Sequence, residues 1–176
     1  TRKESSAASD VYKRQVHGSA RAYTGWIKDL EAGPSGRETR VYGPSEIDDY
    51  DMKQCDAPIT EAIAAQPALP ELDAAAGRYL QALKALVPVS HEAHDYYERQ
   101  DYEDDQFAKG KQLHAPLMAA FKAFAGASET FNVELERQND AAQREHLKAL
   151  EQAEGRTREY YLSLIHISEP TRRRGI

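Results

Sequence analysis

The apolar residues of this 176-residue chain recur at three- and four-residue intervals, and no stretch shows the two-residue alternation of a strand. Tyr23, Trp26, Ile27 and Leu30 form one helical stripe over 20–30, which stops at the turn cluster Gly33, Pro34, Ser35 and Gly36. A loop with Val41, Tyr42, Gly43 and Pro44 follows. Ser45 predicts an N-cap for a second helix, whose acidic first turn (Glu46, Asp48, Asp49) suits the helix dipole. That helix puts Met52, Cys55, Ile59, Ala62 and Ile63 on one side and ends before Pro67, with a kink or break expected at Pro58. A third helix starts at Pro70 and carries Leu72, Ala76, Tyr79, Leu80, Leu83, Leu86 and Val87. Pro88 predicts an interruption, with Ser90 capping a continuation through Tyr96 and Tyr97. The acidic run 101–105 reads as a turn. A fourth, long helix is expected from Asp104 or Asp105, with the stripe Phe107, Leu113, Leu117, Phe121, Phe124, Phe131, Leu135, Leu147 and Leu150. Gly110, Pro116 and Gly126 are places for bends. The pattern predicts an all-α fold, an elongated antiparallel bundle of about four helical segments, truncated at both ends.

The two ends of the chain share one DNA word. DVYKRQ at 10–15 is encoded by GAT GTG TAT AAG AGA CAG, and its reverse complement translates as LSLIHI, the run at 162–167. The word resembles the transposase mosaic end used to tag sequencing libraries, and the flanking SSAAS and SEPTR resemble the two adapter arms. Residues 1–15 and 162–176 therefore read as adapter-derived and 16–161 as a single helical domain. On that reading a missing signal peptide or membrane segment carries no information, and the basic run 172–174 is not a nucleic-acid patch. The flanks hold seven Lys/Arg and three Asp/Glu, so the net charge of −6 becomes about −10 for the middle. An acidic domain without a clustered basic face argues against nucleic acid as a partner. The lone Cys55 cannot close an internal disulfide; it reads as a small apolar residue or as half of a pair whose partner lies elsewhere.

Candidate chemistry gathers between His91 and His114. On a helix His91, His94 or Asp95, and Glu98 stand one and two turns apart, so their side chains can converge on a divalent transition metal. No HExxH occurs, since His91-Glu92-Ala93-His94 is one residue short, and the Glu-x-x-His pairs of di-iron bundles are absent. The other reading makes these residues the solvated face and acidic turn of a helical hairpin. There Asp104 and Asp105 cap the next helix, Lys109 and Lys111 pair with the acidic turn, and His114 bonds across the hairpin. Tyr96, Tyr97 and Tyr102, with Tyr160 and Tyr161, offer either an aromatic ligand surface or core packing. Catalytic patterns fail: GPSG matches no phosphate loop, Cys55 has no neighbouring histidine, and no GxSxG turn occurs.

The runs YTGWIKD, GPSGRE, LPELDAAAGRYLQALKALVPV, YYERQDYEDDQFAKGKQLH and EGRTREYY are similar to the YiiG family, bacterial proteins carrying a domain of unknown function. The most specific segment is 96–114, where Tyr102, Asp104, Asp105, Gly110, Lys111 and His114 occupy the family's positions. The resemblance covers essentially all of 16–161. It implies an exported lipoprotein of the Gram-negative envelope, in the periplasm or at the outer membrane, whose signal and lipid-bearing cysteine lie outside this fragment. It brings no agreed activity, substrate or cofactor. The expectation is a non-enzymatic binding or structural protein with no cofactor. Its partner would be an unknown envelope protein or ligand, and a missing lipid anchor its only membrane contact. The candidate binding residues are Tyr96, Tyr97, Tyr102, Asp104, Asp105, Lys111 and His114; the alternative is metal on His91, Asp95 and Glu98.

Overall fold

The computed structural model describes residues 2–47 and 49–154, with side chains described over 11–47 and 56–153. Four long helices and one single-turn helix follow in order: α1 (Arg2–Thr24), α2 (Asp49–Ala64), α3 (Pro70–Glu98), α4 (Tyr102–Asp105) and α5 (Ala108–Glu154). No strand occurs among the described residues, so the fold is all-α. None of the helices searched is long and apolar enough to cross a membrane. The chain divides into two compact units, 1–131 and 132–176. Within the first, α1 packs on α2 and α2 on α3. There α3 and α5 run antiparallel: Tyr79 meets Phe124 and Phe131 at ring distances of 5.2 and 5.4 Å, while Tyr96 and Tyr97, later in α3, lie over Gly110 near the start of α5. In the second unit the described part of α5 is laced by the pairs Glu134–Arg137 and Glu145–Lys148.

The predicted stripes of α3 and of α5 as far as Phe131 are buried, while Leu135 and Leu150 further along α5 are half-buried. Leu72, Ala76, Tyr79, Leu80, Leu83, Leu86 and Val87 of α3 are buried, as are Leu113, Leu117, Phe121, Phe124 and Phe131 of α5. Each large apolar side chain so buried stabilises by about 1.5–3 kcal/mol. Helix α3 begins as expected at Pro70, and Asp73 Oδ2 accepts the N–H of Leu69, satisfying one of the free donors at that end.

The boundaries depart from expectation in four places. The first helix extends from Arg2, including residues 2–15, and stops at Thr24, well short of Leu30. The Thr24 hydroxyl bonds back to the Ala20 carbonyl at 2.8 Å, and Gly25 follows, so the helix ends there and Leu30 stands exposed. Helix α2 starts at Asp49 instead of after Ser45, whose carbonyl instead accepts the Ser19 hydroxyl at 2.9 Å. Neither Pro58 nor Pro88 breaks its helix. Pro88 is exposed while Leu86, Val87, Ser90 and Ala93 beside it are buried. Burial of that face outweighs the roughly 3 kcal/mol of a lost helical bond. Helix α5 starts at Ala108, three or four residues late, and runs on through Gly110, Pro116 and Gly126. The delay comes from left-handed Gln106 (φ 53°) and Phe107 (φ 65°), held there by burial of the Phe107 ring. The side chains of Met52 and Cys55, Tyr160, Tyr161 and the tail 162–176 lie outside the described residues.

Glycines on the open faces of the helices give a direct check. Gly77 and Gly126 have nothing within 4 Å of an added Cβ. Gly77→Ala and Gly126→Ala should each raise unfolding free energy by about 0.5–1 kcal/mol. At Gly110 the new methyl would stand 2.9 Å from the Tyr97 hydroxyl and 3.1 Å from Tyr96 Cε1. Both rings are buried, so Gly110→Ala should lower stability by about 1–2 kcal/mol, overpacking outweighing the gain in helix propensity. Urea midpoints of the three variants, with opposite signs, test the hairpin packing.

Candidate functional site

Between α1 and α2 runs a segment without regular structure, residues 25–47, that lies across the ends of α3 and α5. Unstructured connections longer than about 12–15 residues are uncommon in compact domains and are usually functional. This strap is held at many points. Asp29 Oδ1 accepts the N–H groups of Glu31 and Ala32, and its carbonyl accepts that of Gly33, closing a tight turn. Trp26 Nε1 donates to the Tyr42 carbonyl at 2.6 Å. Gly43 lies so close to α3 that a Cβ there would stand 2.7 Å from Tyr97 Cβ.

Three histidines clamp the strap from outside. His91 Nε2 donates to the Ile47 carbonyl, His94 Nδ1 to the Pro44 carbonyl at 3.0 Å, and His114 Nε2 to the Leu30 carbonyl at 2.8 Å. With that hydrogen committed, Nδ1 of a neutral His114 is the acceptor, and the Tyr23 hydroxyl donates to it at 2.9 Å. His114 is buried, and the φ of +80° at Gly33 brings the strap backbone onto its ring.

Around this clamp the aromatic residues form one cluster. Tyr23 contacts Trp26, Tyr97 and His114; Trp26 contacts Tyr97 and Phe107; Tyr97 contacts Tyr96 and Tyr102. The Tyr96 hydroxyl donates to Asp105 Oδ1 at 2.8 Å, and Asp105 Oδ2 accepts the N–H of Lys109, tying the end of α3 to the start of α5. Desolvation alone would raise the Asp105 carboxyl, but hydrogen bonds from the Lys109 N–H, the Tyr96 hydroxyl and the N–H groups of Phe107 and Ala108 hold it below its ordinary value.

Burial, eased by the neighbouring Tyr97 hydroxyl, pushes the Tyr23 phenol up to about 12. Tyr96 is raised by burial and then by its bond to Asp105, and Tyr97 by burial and then by Tyr23. A raised folded-state value means that the stability contributed by the protonated phenol is complete below the ordinary value of 10 and is lost as pH rises through about 12. Stability should therefore be flat up to about pH 10 and fall from there through about 12. Phenolate absorbance should show Tyr23, Tyr96 and Tyr97 ionising only as the chain unfolds; early, reversible titration of all tyrosines would contradict this burial.

The residues singled out from sequence thus divide. Tyr96, Tyr97 and His114 are buried, Tyr102 and Asp105 are half-buried, and Asp104 and Lys111 are exposed. Tyr96 and Tyr97 are core, in line with the packing reading of the two alternatives. Lys109 pairs with Glu92 of α3 at 3.0 Å instead of the acidic turn, and His114 reaches the strap instead of the facing helix. The proposed metal set does not assemble: His91 faces Ile47, Asp95 pairs with Arg99 at 2.8 Å, and Glu98 is exposed. Among the described residues no group of three His, Cys, Asp or Glu side chains is placed to hold a metal ion.

The strap carries one feature the sequence reading passed over. The backbone N–H groups of Ser35, Gly36 and Arg37 and the Ser35 hydroxyl all donate to the Glu38 carboxylate, at 2.8–3.0 Å. The glycine-bearing turn that matches no phosphate loop is an anion nest filled by its own chain. A small desolvation is outweighed by these bonds, which hold Glu38 below the ordinary carboxylate value. Beside the nest lies an open cleft of about 460 Å³ lined by Trp26, Lys28, Arg37, Glu38, Arg40 and Tyr42.

These features define a helical module whose α3–α5 hairpin is closed at one end by a histidine-clamped strap. The chain belongs to the family described as protein of unknown function, DUF3829, whose model matches residues 7–168. It is 36% identical over 153 residues to the uncharacterized protein YiiG of Escherichia coli strain K12. That alignment takes in 87% of this chain and 44% of the relative, so the chain spans less than half the relative's length. No solved structure matches it.

Proposed function

We propose that this chain is a non-enzymatic binding or structural module of a bacterial envelope lipoprotein, with residues 16–161 as its native part. The observation that carries the non-enzymatic reading is the use made of the three histidines. Each commits a ring nitrogen to a strap carbonyl, and Asp105 is committed to Tyr96 and Lys109, so the groups suited to acid–base chemistry serve architecture. The family resemblance supports the envelope placement. Cells producing the full-length protein, labelled with palmitate and fractionated, test that placement. Labelled protein in the envelope fraction is the expected result, and an unlabelled cytosolic product overturns it. Re-sequencing the locus outward from codons within 16–161 tests the ends: both flanks should be replaced, and genomic SSAASDVYKRQ would refute the adapter reading.

A further inference from the structure

The cleft beside the nest has a charge pattern unlike the rest of this acidic chain. Lys28, Arg37 and Arg40 are all exposed on its walls, and none pairs with a carboxylate among the described residues. Elsewhere the exposed cations are of both kinds: Lys84, Arg99, Lys109, Arg137 and Lys148 each hold an Asp or Glu within 3.0 Å, while Arg78, Lys111 and Lys122 have no carboxylate partner among the described residues. The one carboxylate lining the cleft is Glu38, whose two oxygens already accept four hydrogen bonds from the nest. Three cations against one occupied anion leave a surplus of two positive charges. The walls also present Trp26, half-buried, and Tyr42, which is 58% exposed. The bond from the indole N–H to the Tyr42 carbonyl holds the backbone of Tyr42, which puts an exposed aromatic side chain beside the cations.

We propose that this cleft binds a phosphate monoester. The dianion balances the surplus charge, the guanidinium forks of Arg37 and Arg40 match phosphate oxygens two at a time, and Lys28 adds a point charge. Trp26 and Tyr42 meet the group that the phosphate is attached to. A carboxylate would neutralise half of the surplus and engage one fork. All three cations are exposed, so binding is weak to moderate and falls as salt is added. The inference is independent of where in the cell the protein sits and of its lipid anchor.

Trp26 is the only tryptophan, so its fluorescence reports this cleft alone. The chain would be titrated with glycerol 3-phosphate, with glucose 6-phosphate, and with phosphatidylcholine vesicles containing phosphatidic acid. A saturable change below about 10 mM is expected with at least one of them. Arg37→Ser and Arg40→Ser should each weaken it about tenfold or more, while Lys122→Ser, on a cation outside the cleft, should leave it unchanged. Response to the soluble esters places the phosphate on a small metabolite; response to the vesicles alone places it on a lipid headgroup. No saturable change with any probe overturns the proposal, as does a change of equal strength in the Arg37→Ser, Arg40→Ser double variant. Neither arginine side chain has a partner to lose among the described residues, so the variants should keep the wild-type helical circular dichroism.

Discussion

Gly33→Ala should lower the unfolding free energy by about 2–4 kcal/mol, among the largest effects of any single added methyl. Two independent penalties meet there. Gly33 has φ +80°, a conformation that costs an L residue about 1–2 kcal/mol. The methyl would also stand 2.9 Å from Cγ and Cδ2 of His114. That ring cannot retreat, because Tyr23 holds one nitrogen and the Leu30 carbonyl the other. Overpacking of this kind costs about 1–3 kcal/mol. Gly36 is the internal control, with φ +81° but a first contact of 3.3 Å, to Phe107 Cδ2. Gly36→Ala should show chiefly the backbone share, about 1–2 kcal/mol. Urea midpoints at unchanged slope measure both. Equal losses at the two glycines would mean that His114 yields easily and is no fixed clamp.

His114→Ala should cost about 3–5 kcal/mol, the range of large-to-small changes at buried rings. His114 is 4% exposed and touches the Tyr23 ring at 5.8 Å. Its removal strands the Tyr23 hydroxyl and the Leu30 carbonyl, each worth about 1–3 kcal/mol if buried without a partner. A double-mutant cycle with Tyr23→Phe separates these contributions. The pair should be coupled by about 1 kcal/mol or more, since removing the hydroxyl also removes one stranded group. Strict additivity would show that the 2.9 Å contact contributes no interaction of its own.

The helices were legible because their apolar residues keep the helical period, and the same residues proved buried: Leu72 to Val87 in α3 and Leu113 to Phe131 in α5. Prolines misled for an opposite reason. A rule local to Pro58 or Pro88 takes no account of the buried side chains flanking it, and tertiary burial decided both cases. Of the two caps expected in the 96–114 segment, that of Asp105 is present. The partner of His114 was not. Leu30 lies 84 residues away, and no spacing rule links an imidazole to a distant carbonyl. The middle of the strap, 33–44, was read as plain turn and loop and its ends as helix, because many of its contacts are made by backbone atoms, which leave no mark in side-chain patterns. The Glu38 nest was the nearest miss: Gly36 and an acid two residues later were visible, but the turn was compared only with motifs that bind foreign phosphate.

The separation between Tyr23 and His114 also sets an order of events during synthesis. The strap is complete when residue 47 leaves the ribosome, yet the imidazole that anchors its first half arrives 91 positions after Tyr23. Until then α1, the strap and α2 can form local contacts, but the aromatic end has no lid to close under. Closure of this end is therefore a late step, coupled to docking of α5 on α3, as expected for contacts of high sequence separation. A nascent chain halted before His114 should expose Trp26 and the strap amides to solvent and proteases, whereas one halted some way beyond Phe131 should hide them.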